Sequence, residues 1–310
     1  MTDRLSVDRR SILVGGAGLL TVAGCASAGG APIKDPLARL GVSSPSFRHL
    51  FRRSNPRAVD PIDLVGFPAF VKAQLGLANV EIWSLHFDAQ TPEYCEGLRR
   101  AAETAGSRII NVQLDDPSLD LSAADDAARQ RAIAGVKAWM DRARLCGSPS
   151  LRTNVNILPP KTPVSLATVI ASCRTLADYG QAIGVKLLIE NHVGYTATID
   201  NTIAVVAGAD HRWCRAIADW GNSPATDDAQ RVADMTRLMP YVDLVSAKGV
   251  AFDPANRHIA YDIAKLVQAA EAGGYRGLYS IELYGPTAPQ DSVAAARQMI
   301  DTVSANLRGA

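Results

Sequence analysis

Three carboxylates each close a short apolar run in this sequence. Glu190 follows the run LLI, Asp219 follows AIA, and Glu282 follows YSI. Carboxylates that meet in a partly buried site repel one another and lose their hydration, and a divalent cation relieves both effects. Oxygen ligands of this kind suit Mn²⁺, Mg²⁺ or Co²⁺ better than softer metals. The three residues therefore predict a divalent-metal site if the fold brings them together. The alternative is that each carboxylate pairs with a nearby arginine or lysine.

The segments that carry these carboxylates belong to an alternating pattern that begins near residue 40. Runs rich in Val, Ile, Leu and aromatic residues indicate strands. The stretches between them have helical periodicity, most clearly at 123–146 and 166–183. The predicted strands are Leu40–Phe47, Asn79–Phe87, Arg108–Asp115, Leu151–Ile157, Lys186–His192, Cys214–Trp220, Tyr241–Lys248 and Gly277–Tyr284.

Eight strand–helix units over this length average roughly 34 residues each, which favours the α/β class and a closed (β/α)8 barrel, the TIM barrel. An open doubly wound sheet is the competing architecture, but no G-x-G-x-x-G motif follows the first strand. Because barrel chemistry lies at the carboxyl ends of the strands, the carboxylates on strands five, six and eight are expected to share one mouth.

The first residues have the features of an export signal. The pair Arg9 and Arg10 precedes an apolar stretch at 12–23 that is too short to span a bilayer. We expect a twin-arginine signal peptide over residues 1–28, a flexible tether over 29–39 and the barrel over 40–310. Cys25 follows a lipobox-like VAG and is the predicted lipidation site, although the ASA that follows also fits ordinary signal cleavage. The expected location is the periplasm, with Cys25 as a lipid anchor if the lipobox is used.

Charge and cysteine usage narrow the classes of partner. The chain has 32 basic and 31 acidic residues and a formal net charge of +1, which gives no electrostatic reason to expect nucleic acid as a partner. The five cysteines form no CxxC pair and no zinc-type spacing. Those within the barrel are therefore expected to be buried free thiols. The sequence is compatible with an oligomer.

Three motifs resemble those of a known family. LIENH at 188–192, ADWGN at 218–222 and GYRGLYSIE at 274–282 are similar to the xylose isomerase-like TIM barrels. This superfamily contains sugar isomerases, sugar epimerases and endonuclease IV-type enzymes, and the resemblance covers residues 40 to 306. It implies that Glu190, Asp219 and Glu282 are metal ligands.

The chain departs from the family pattern on strand seven. The family usually has a histidine ligand there in an H-x-K setting, whereas this chain has Ser246 and retains Lys248. A neutral serine is a poor ligand for a divalent metal. The expected outcomes are weak binding, binding through water, or loss of the metal; in the last case Lys248 would neutralise the carboxylates.

The resemblance also implies catalytic roles. Glu190 and Glu282 would remove and return a proton beside a carbonyl, and Lys248 would stabilise oxyanion charge. His192 would orient substrate hydroxyls. Further candidates for substrate binding, which are near the strand ends or in the loop after strand seven, are His86, Asn154, Asn222, Trp220, Arg257 and His258.

The predicted function is that of a sugar isomerase or epimerase acting on a ketose or keto-sugar, assisted by a divalent metal. The alternatives are a lyase or hydrolase of keto-glycosides in the same barrel, or a sugar-binding lipoprotein without catalysis. A DNA-repair role is disfavoured because the chain is not basic, carries an export signal and lacks the histidines of a three-zinc site.

Overall fold

The computed structural model describes residues 35–158, 163–285 and 287–307. The predicted signal peptide, Cys25 and the first part of the tether lie outside the described residues. Within the described ranges, no helix is long and apolar enough to cross a membrane.

Eight parallel strands form a closed barrel in which neighbours along the chain are neighbours in space, and β8 pairs with β1. This confirms the predicted (β/α)8 barrel. The strands are β1 Leu40–Ser43, β2 Asn79–Trp83, β3 Arg108–Leu114, β4 Ser150–Thr153, β5 Lys186–Glu190, β6 Cys214–Asp219, β7 Val242–Gly249 and β8 Leu278–Leu283.

Within the residues that the structure describes, eight α-helices alternate with the strands. They are α1 Phe67–Leu75, α2 Pro92–Thr104, α3 Asp126–Leu145, α4 Leu166–Ile183, α5 Ile199–Ala209, α6 Asp228–Leu238, α7 Ile263–Ala272 and α8 Ser292–Leu307. Helix α4 begins and ends where the sequence predicts. The Ser165 side chain accepts a hydrogen bond from the backbone N–H of Thr168, and Gly184 ends the helix with a φ of 79°.

Except for β7, the predicted strands extend too far at their carboxyl ends, because the first loop residues continue the composition of the strand. Strand β2 ends at Trp83 rather than at residue 87, and β4 ends at Thr153 rather than at residue 157. The four barrel cysteines are free and buried, as predicted.

The interior of the barrel is apolar at one level and charged at the next. Ile110, Leu188, Ile217 and Leu244 pack together as an apolar floor. Because side chains two positions apart on a strand point to the same face, residues 190 and 219 point into the same interior, closer to the carboxyl ends of β5 and β6.

The strand register fixes which side chains meet at the charged level. Lys248 on β7 is the register partner of Glu282 on β8. Asp219 on β6 is the partner of Ser246 on β7. The sequence positions therefore place a cation and two carboxylates in adjoining strands at one end of the barrel.

Candidate active site at the carboxyl ends of the strands

A cavity of about 370 Å³ opens at the carboxyl ends of the strands. Its wall combines ionisable and aromatic side chains, as expected of a site that binds a small polar molecule. The lining residues are Pro45, Trp83, Asp115, Arg152, Ile157, Glu190, His192, Val193, Lys248, Glu282 and Tyr284. Among the three predicted carboxylates, Glu190 and Glu282 reach this cavity and Asp219 lies fully buried beside them.

Glu190 and Asp219 form a contacting pair of carboxyl groups. Burial, and the proximity of the two groups, raise the pKa of Asp219 to about 7. Burial also raises the pKa of Glu190 to about 7, although Arg152 and Lys248 oppose the shift. Two like charges in contact cannot both ionise cheaply, so the pair holds a proton near neutral pH.

Asp219 is held by donors on three sides. Its Oδ1 accepts from the backbone N–H of Asn222 at 3.0 Å, and its Oδ2 accepts from the Ser246 hydroxyl at 3.2 Å. The Lys248 Nζ lies 3.3 Å from the same Oδ2. Asn191 fixes the backbone of Asp219 through two hydrogen bonds of 2.8 Å, which ties the end of β6 to β5.

Glu282 is surrounded by cations and amide donors. Its Oε1 lies 3.1 Å from the Lys248 Nζ, and its Oε2 accepts from the Gln113 amide at 3.1 Å. Burial disfavours the charge of Glu282, but Lys248 and Arg152 outweigh burial and lower its pKa. Glu282 is therefore ionised at neutral pH, whereas Glu190 is at its titration point.

Lys248 remains a charged ammonium in this setting. Burial alone would lower the pKa of Lys248, but Asp219, Glu282 and Glu190 outweigh burial and raise it. A protonated amine has no lone pair, so Lys248 does not act as a nucleophile and acts instead as a fixed positive charge.

Arg152 is a second buried cation at the mouth. It forms an ion pair with Asp115, and its Nε lies 3.1 Å from Glu190 Oε2. Burial opposes its charge, but Asp115 and Glu190 outweigh it and raise the pKa of Arg152. The two cations thus stand on opposite sides of the carboxyl groups, Arg152 beside Glu190 and Lys248 beside Glu282.

The residues present do not fit a divalent cation in this arrangement. Lys248 stands 3.3 Å and 3.1 Å from the carboxylates of Asp219 and Glu282, which a metal would have to share. The strand-seven position is a hydroxyl that donates to Asp219 rather than a ligand. In the ranges 35–158, 163–285 and 287–307, no three acidic, histidine or cysteine side chains are placed to hold a metal ion. Lysine and arginine neutralise the carboxylates instead, which is the alternative to a metal site that the sequence left open.

Three other predicted residues lie in or beside the site. His192 lines the cavity, and burial and Arg152 lower its pKa, so the ring is neutral at pH 7. Asn222 donates to Glu190 at 3.5 Å and accepts from Lys248 at 3.1 Å, which bridges the two sides of the site. Asn154 is buried and donates to Asp115 rather than lining the cavity.

The remaining predicted substrate ligands lie away from this cavity. Trp220 is fully buried and packs on Tyr279 with ring centroids 5.9 Å apart, so it presents no face to a sugar. Sequence reasoning missed this because Trp220 follows Asp219 directly, and adjacent strand residues point to opposite faces.

His86, Arg257 and His258 are also outside the cavity. His86 is within hydrogen-bonding distance of the hydroxyls of Ser44 and Ser54, and burial lowers its pKa to about 3. Arg257 is exposed and pairs with Asp253. His258 packs between Phe252 and Tyr261 and lines a separate cavity.

Three lining residues that the sequence analysis did not select, Trp83, Asp115 and Arg152, are joined through the Asp115 carboxylate. Asp115 directly follows the apolar strand β3, just as Glu190 ends β5. The search for carboxylates that close apolar strands should therefore also have selected Asp115. Arg152 is a charged residue inside the buried strand β4. Trp83 lines the cavity, and its indole N–H donates to Asp115 at 2.6 Å.

A fourth buried carboxyl lies within the barrel. Glu81 on β2 is fully buried and accepts from the Asn111 amide at 2.8 Å. Burial raises the pKa of Glu81 to about 7, although the nearby Ser280 hydroxyl and the hydrogen bond from Asn111 oppose the shift. No sequence signal pointed to it, because a single glutamate within a strand is usually solvent-facing.

The closed parallel barrel, with ionisable groups gathered at the carboxyl ends of its strands, defines the chain as a TIM-barrel protein with its candidate site at the usual end. Residues 71–303 match the model of the xylose isomerase-like TIM barrel family, and the chain belongs to that family. A search of characterised protein sequences found no significant match.

Several solved structures share the fold. An L-ribulose 3-epimerase superposes with a TM-score of 0.68 at 16% identity, covering 88% of this chain and 95% of that one. The 3-keto-D-glucoside 4-epimerase YcjR from E. coli gives 0.62 at 15% identity, covering 88% and 99%. A xylose isomerase-like protein from Mycobacterium smegmatis, in complex with magnesium, gives 0.63 at 16% identity, covering 87% and 97%. These similarities show the fold, and they place sugar epimerases among its structural relatives.

Proposed function

We propose that this protein is a sugar isomerase or epimerase that moves a proton at the carbon next to a carbonyl group of a ketose or keto-sugar. The observation that carries the proposal is that Glu190 and Glu282 both line one cavity, with Arg152 beside the first and Lys248 beside the second. Two carboxyl groups whose surroundings push their pKa values apart are suited to act as acid and base.

The proposed first step is removal of a proton from carbon. The ionised Glu282 takes the proton, and the electron pair of the broken C–H bond moves toward the carbonyl oxygen to give an enediolate. The developing oxyanion is stabilised by Lys248 and Arg152, fixed positive charges that require no reorganisation during the reaction.

The proposed second step returns a proton from the other side. Glu190, which holds a proton near neutral pH, delivers it to carbon. Delivery to the same carbon on the opposite face gives an epimer, and delivery to the neighbouring carbon, with transfer of the hydroxyl proton, gives an isomer. Exchange with solvent then returns both carboxyl groups to their starting states.

The substrate class follows from the site and from the expected location. Among the described residues that line the cavity, Arg152 and Lys248 are both paired with carboxylates, so this part of the lining offers no cluster of free cations to bind a phosphate. Two structural relatives, a ribulose epimerase and a keto-glucoside epimerase, are by name enzymes that act on keto-sugars. A free or oxidised sugar also suits a chain that we propose to be exported by the twin-arginine route to the periplasm and anchored through Cys25.

The test is turnover of a panel of free ketoses and 3-keto-glycosides by the purified protein, with products resolved by NMR. Conversion to an epimer or isomer, abolished in Glu282→Gln and retained in Trp220→Phe, supports the proposal. Cleavage of a glycosidic bond would replace it with a lyase or hydrolase. Saturable binding of a sugar without any product would replace it with a binding protein.

A further inference from the structure

We propose that the ammonium group of Lys248 is the built-in cation of this site and that the protein works without a bound divalent metal. The catalytic part of this inference rests on the proposed function, whereas the exclusion of metal can be tested without any substrate. One structural relative was solved with magnesium, so a metal-independent site would distinguish this chain from at least one protein of the same fold.

The Lys248 ammonium is already surrounded by the kind of oxygen atoms that would bind a metal ion. Its Nζ has three oxygen neighbours, one from each of Asp219, Glu282 and Asn222, at 3.3, 3.1 and 3.1 Å. An ammonium has three N–H donors and no acceptor. The oxygen neighbours therefore equal the donors in number, and the side chain is 7% exposed.

Each oxygen of Asp219 and Glu282 already has a donor or a cation beside it, which a metal would have to displace. Both oxygens of Asp219 accept hydrogen bonds, from Asn222 and Ser246. Both oxygens of Glu282 have partners as well, Lys248 for one and Gln113 for the other. A metal ligand distance is about 2.0–2.2 Å for Mg²⁺ or Zn²⁺. A divalent ion at such a distance from these oxygens would approach the ammonium closely and be repelled.

Neighbouring residues leave room for the Lys248 side chain and hold it in place. A Cβ on Gly221 would lie 2.9 Å from both Cγ and Cδ of Lys248, so the absence of a side chain there accommodates the stem of the lysine. The Tyr284 ring centroid lies 5.3 Å from Nζ, a cation–π distance. Tyr261 donates its hydroxyl to the Lys248 backbone carbonyl. Packing on the stem, the head and the backbone thus directs the ammonium to the carboxylates.

Ser246, the register partner of Asp219, also disfavours a metal ion at this position. The Ser246 hydroxyl donates a hydrogen bond to the carboxylate, and its neutral oxygen is a weaker ligand for a divalent metal than an imidazole nitrogen. The substitution therefore removes a ligand and adds a donor, and both changes favour an ammonium over a metal ion at this point.

The experiment is a calorimetric titration of Mn²⁺ into the EDTA-treated, dialysed protein, with metal content measured by mass spectrometry before treatment. We expect no saturable site and no stoichiometric metal in the wild-type protein. The variant Ser246→His with Lys248→Met should gain one saturable site, which a further Asp219→Asn change removes. One-site binding by the wild-type protein that Asp219→Asn abolishes would overturn the proposal. Failure of a folded Ser246→His, Lys248→Met variant to bind Mn²⁺ would also overturn it, because these two residues would then not be what excludes the metal.

A second arm uses turnover once a substrate is found. EDTA should change the rate less than twofold, and Gly221→Ala, which displaces the lysine while keeping every charge, should lower kcat at least tenfold. A rate lost in EDTA and restored by Mn²⁺ would overturn the inference. If no sugar is turned over, the proposed function fails while the Mn²⁺ titration still decides whether Lys248 excludes the metal.

Discussion

Lys248 lies opposite Glu282 in the register of β7 and β8, and its Nζ is 3.1 Å from Glu282 Oε1. Both side chains are almost fully buried, at 7% and 6% exposed. Because burial penalises an unpaired charge severely, each of the two groups makes the charge of the other tolerable. The pair is therefore a structural element of the mouth as well as part of the proposed catalytic site.

Removal of the lysine charge should destabilise the protein. Lys248→Met leaves Glu282 and Asp219 without their shared cation, and breaking a buried ion pair costs about 3–5 kcal/mol. Urea denaturation at pH 8 measures the loss of unfolding free energy. Adding Glu282→Gln should recover part of the loss, since one uncompensated charge is then removed. If the two changes are simply additive, the pair is not an energetic unit.

The two tryptophans near the mouth should behave differently. Trp83→Phe removes a wall of the cavity and the hydrogen bond to Asp115, so we expect KM to rise several-fold. Trp220→Phe alters a fully buried ring and should lower stability by about 1–3 kcal/mol while leaving KM within twofold. Steady-state kinetics and urea denaturation of both variants check the prediction. A larger KM change in Trp220→Phe than in Trp83→Phe would contradict the cavity as the substrate site.

Glu81 should make stability depend on pH. Its pKa is raised from 4.5 to about 7 in the folded protein, so the folded state binds a proton that the unfolded state has released. The contribution to stability is fully present below pH 4.5 and is lost as pH rises through 7, by up to about 3 kcal/mol for a shift of this size. Glu81→Gln keeps the shape without the titration.

We therefore expect the difference in unfolding free energy, Glu81→Gln minus wild type, to increase between pH 5 and pH 8. Comparing the two proteins cancels the other titrating groups, which are common to both. A difference that stays constant with pH would show that Glu81 has an ordinary pKa.

Arg152 should set the alkaline limb of the pH–rate profile. Glu190 must hold a proton to act as the acid, so the rate should fall as pH rises above its pKa of about 7. The Arg152 cation lowers that pKa, and Arg152→Met should therefore move the alkaline limb to higher pH while lowering kcat through loss of oxyanion stabilisation. The profile of kcat against pH for both proteins tests this. A limb that does not move would indicate that another group supplies the proton.

The sequence predicted the barrel, and it predicted that Glu190, Asp219 and Glu282 meet at one mouth, because both features depend on local sequence pattern. Polar residues that close apolar strands fall at one level of a parallel barrel, and the register of β6, β7 and β8 places residues 219, 246, 248 and 282 accordingly. Helix α4 was predicted to the residue because Ser165 and Gly184 mark its ends.

The pairing of charges could not be predicted in the same way. Whether Lys248 or a metal neutralises Asp219 depends on side-chain direction and on the space beside Gly221, which no spacing rule encodes. Trp220 was misplaced because its neighbour in sequence faces the opposite side of the strand. Arg152 was not selected as a site residue, because the role of a buried arginine is clear only once its partners, here Asp115 and Glu190, are known.

The central claim is that Glu282 and Glu190 exchange a proton with the carbon next to a sugar carbonyl. The most direct measurement is incorporation of solvent deuterium at that carbon, followed by NMR in D₂O for wild type, Glu282→Gln, Glu190→Gln and the control Trp220→Phe. We predict that wild type and Trp220→Phe incorporate deuterium into the product, and that each glutamine variant loses at least 100-fold in exchange rate while remaining folded. Product formed without solvent deuterium, or exchange that persists in both glutamine variants, would contradict the account.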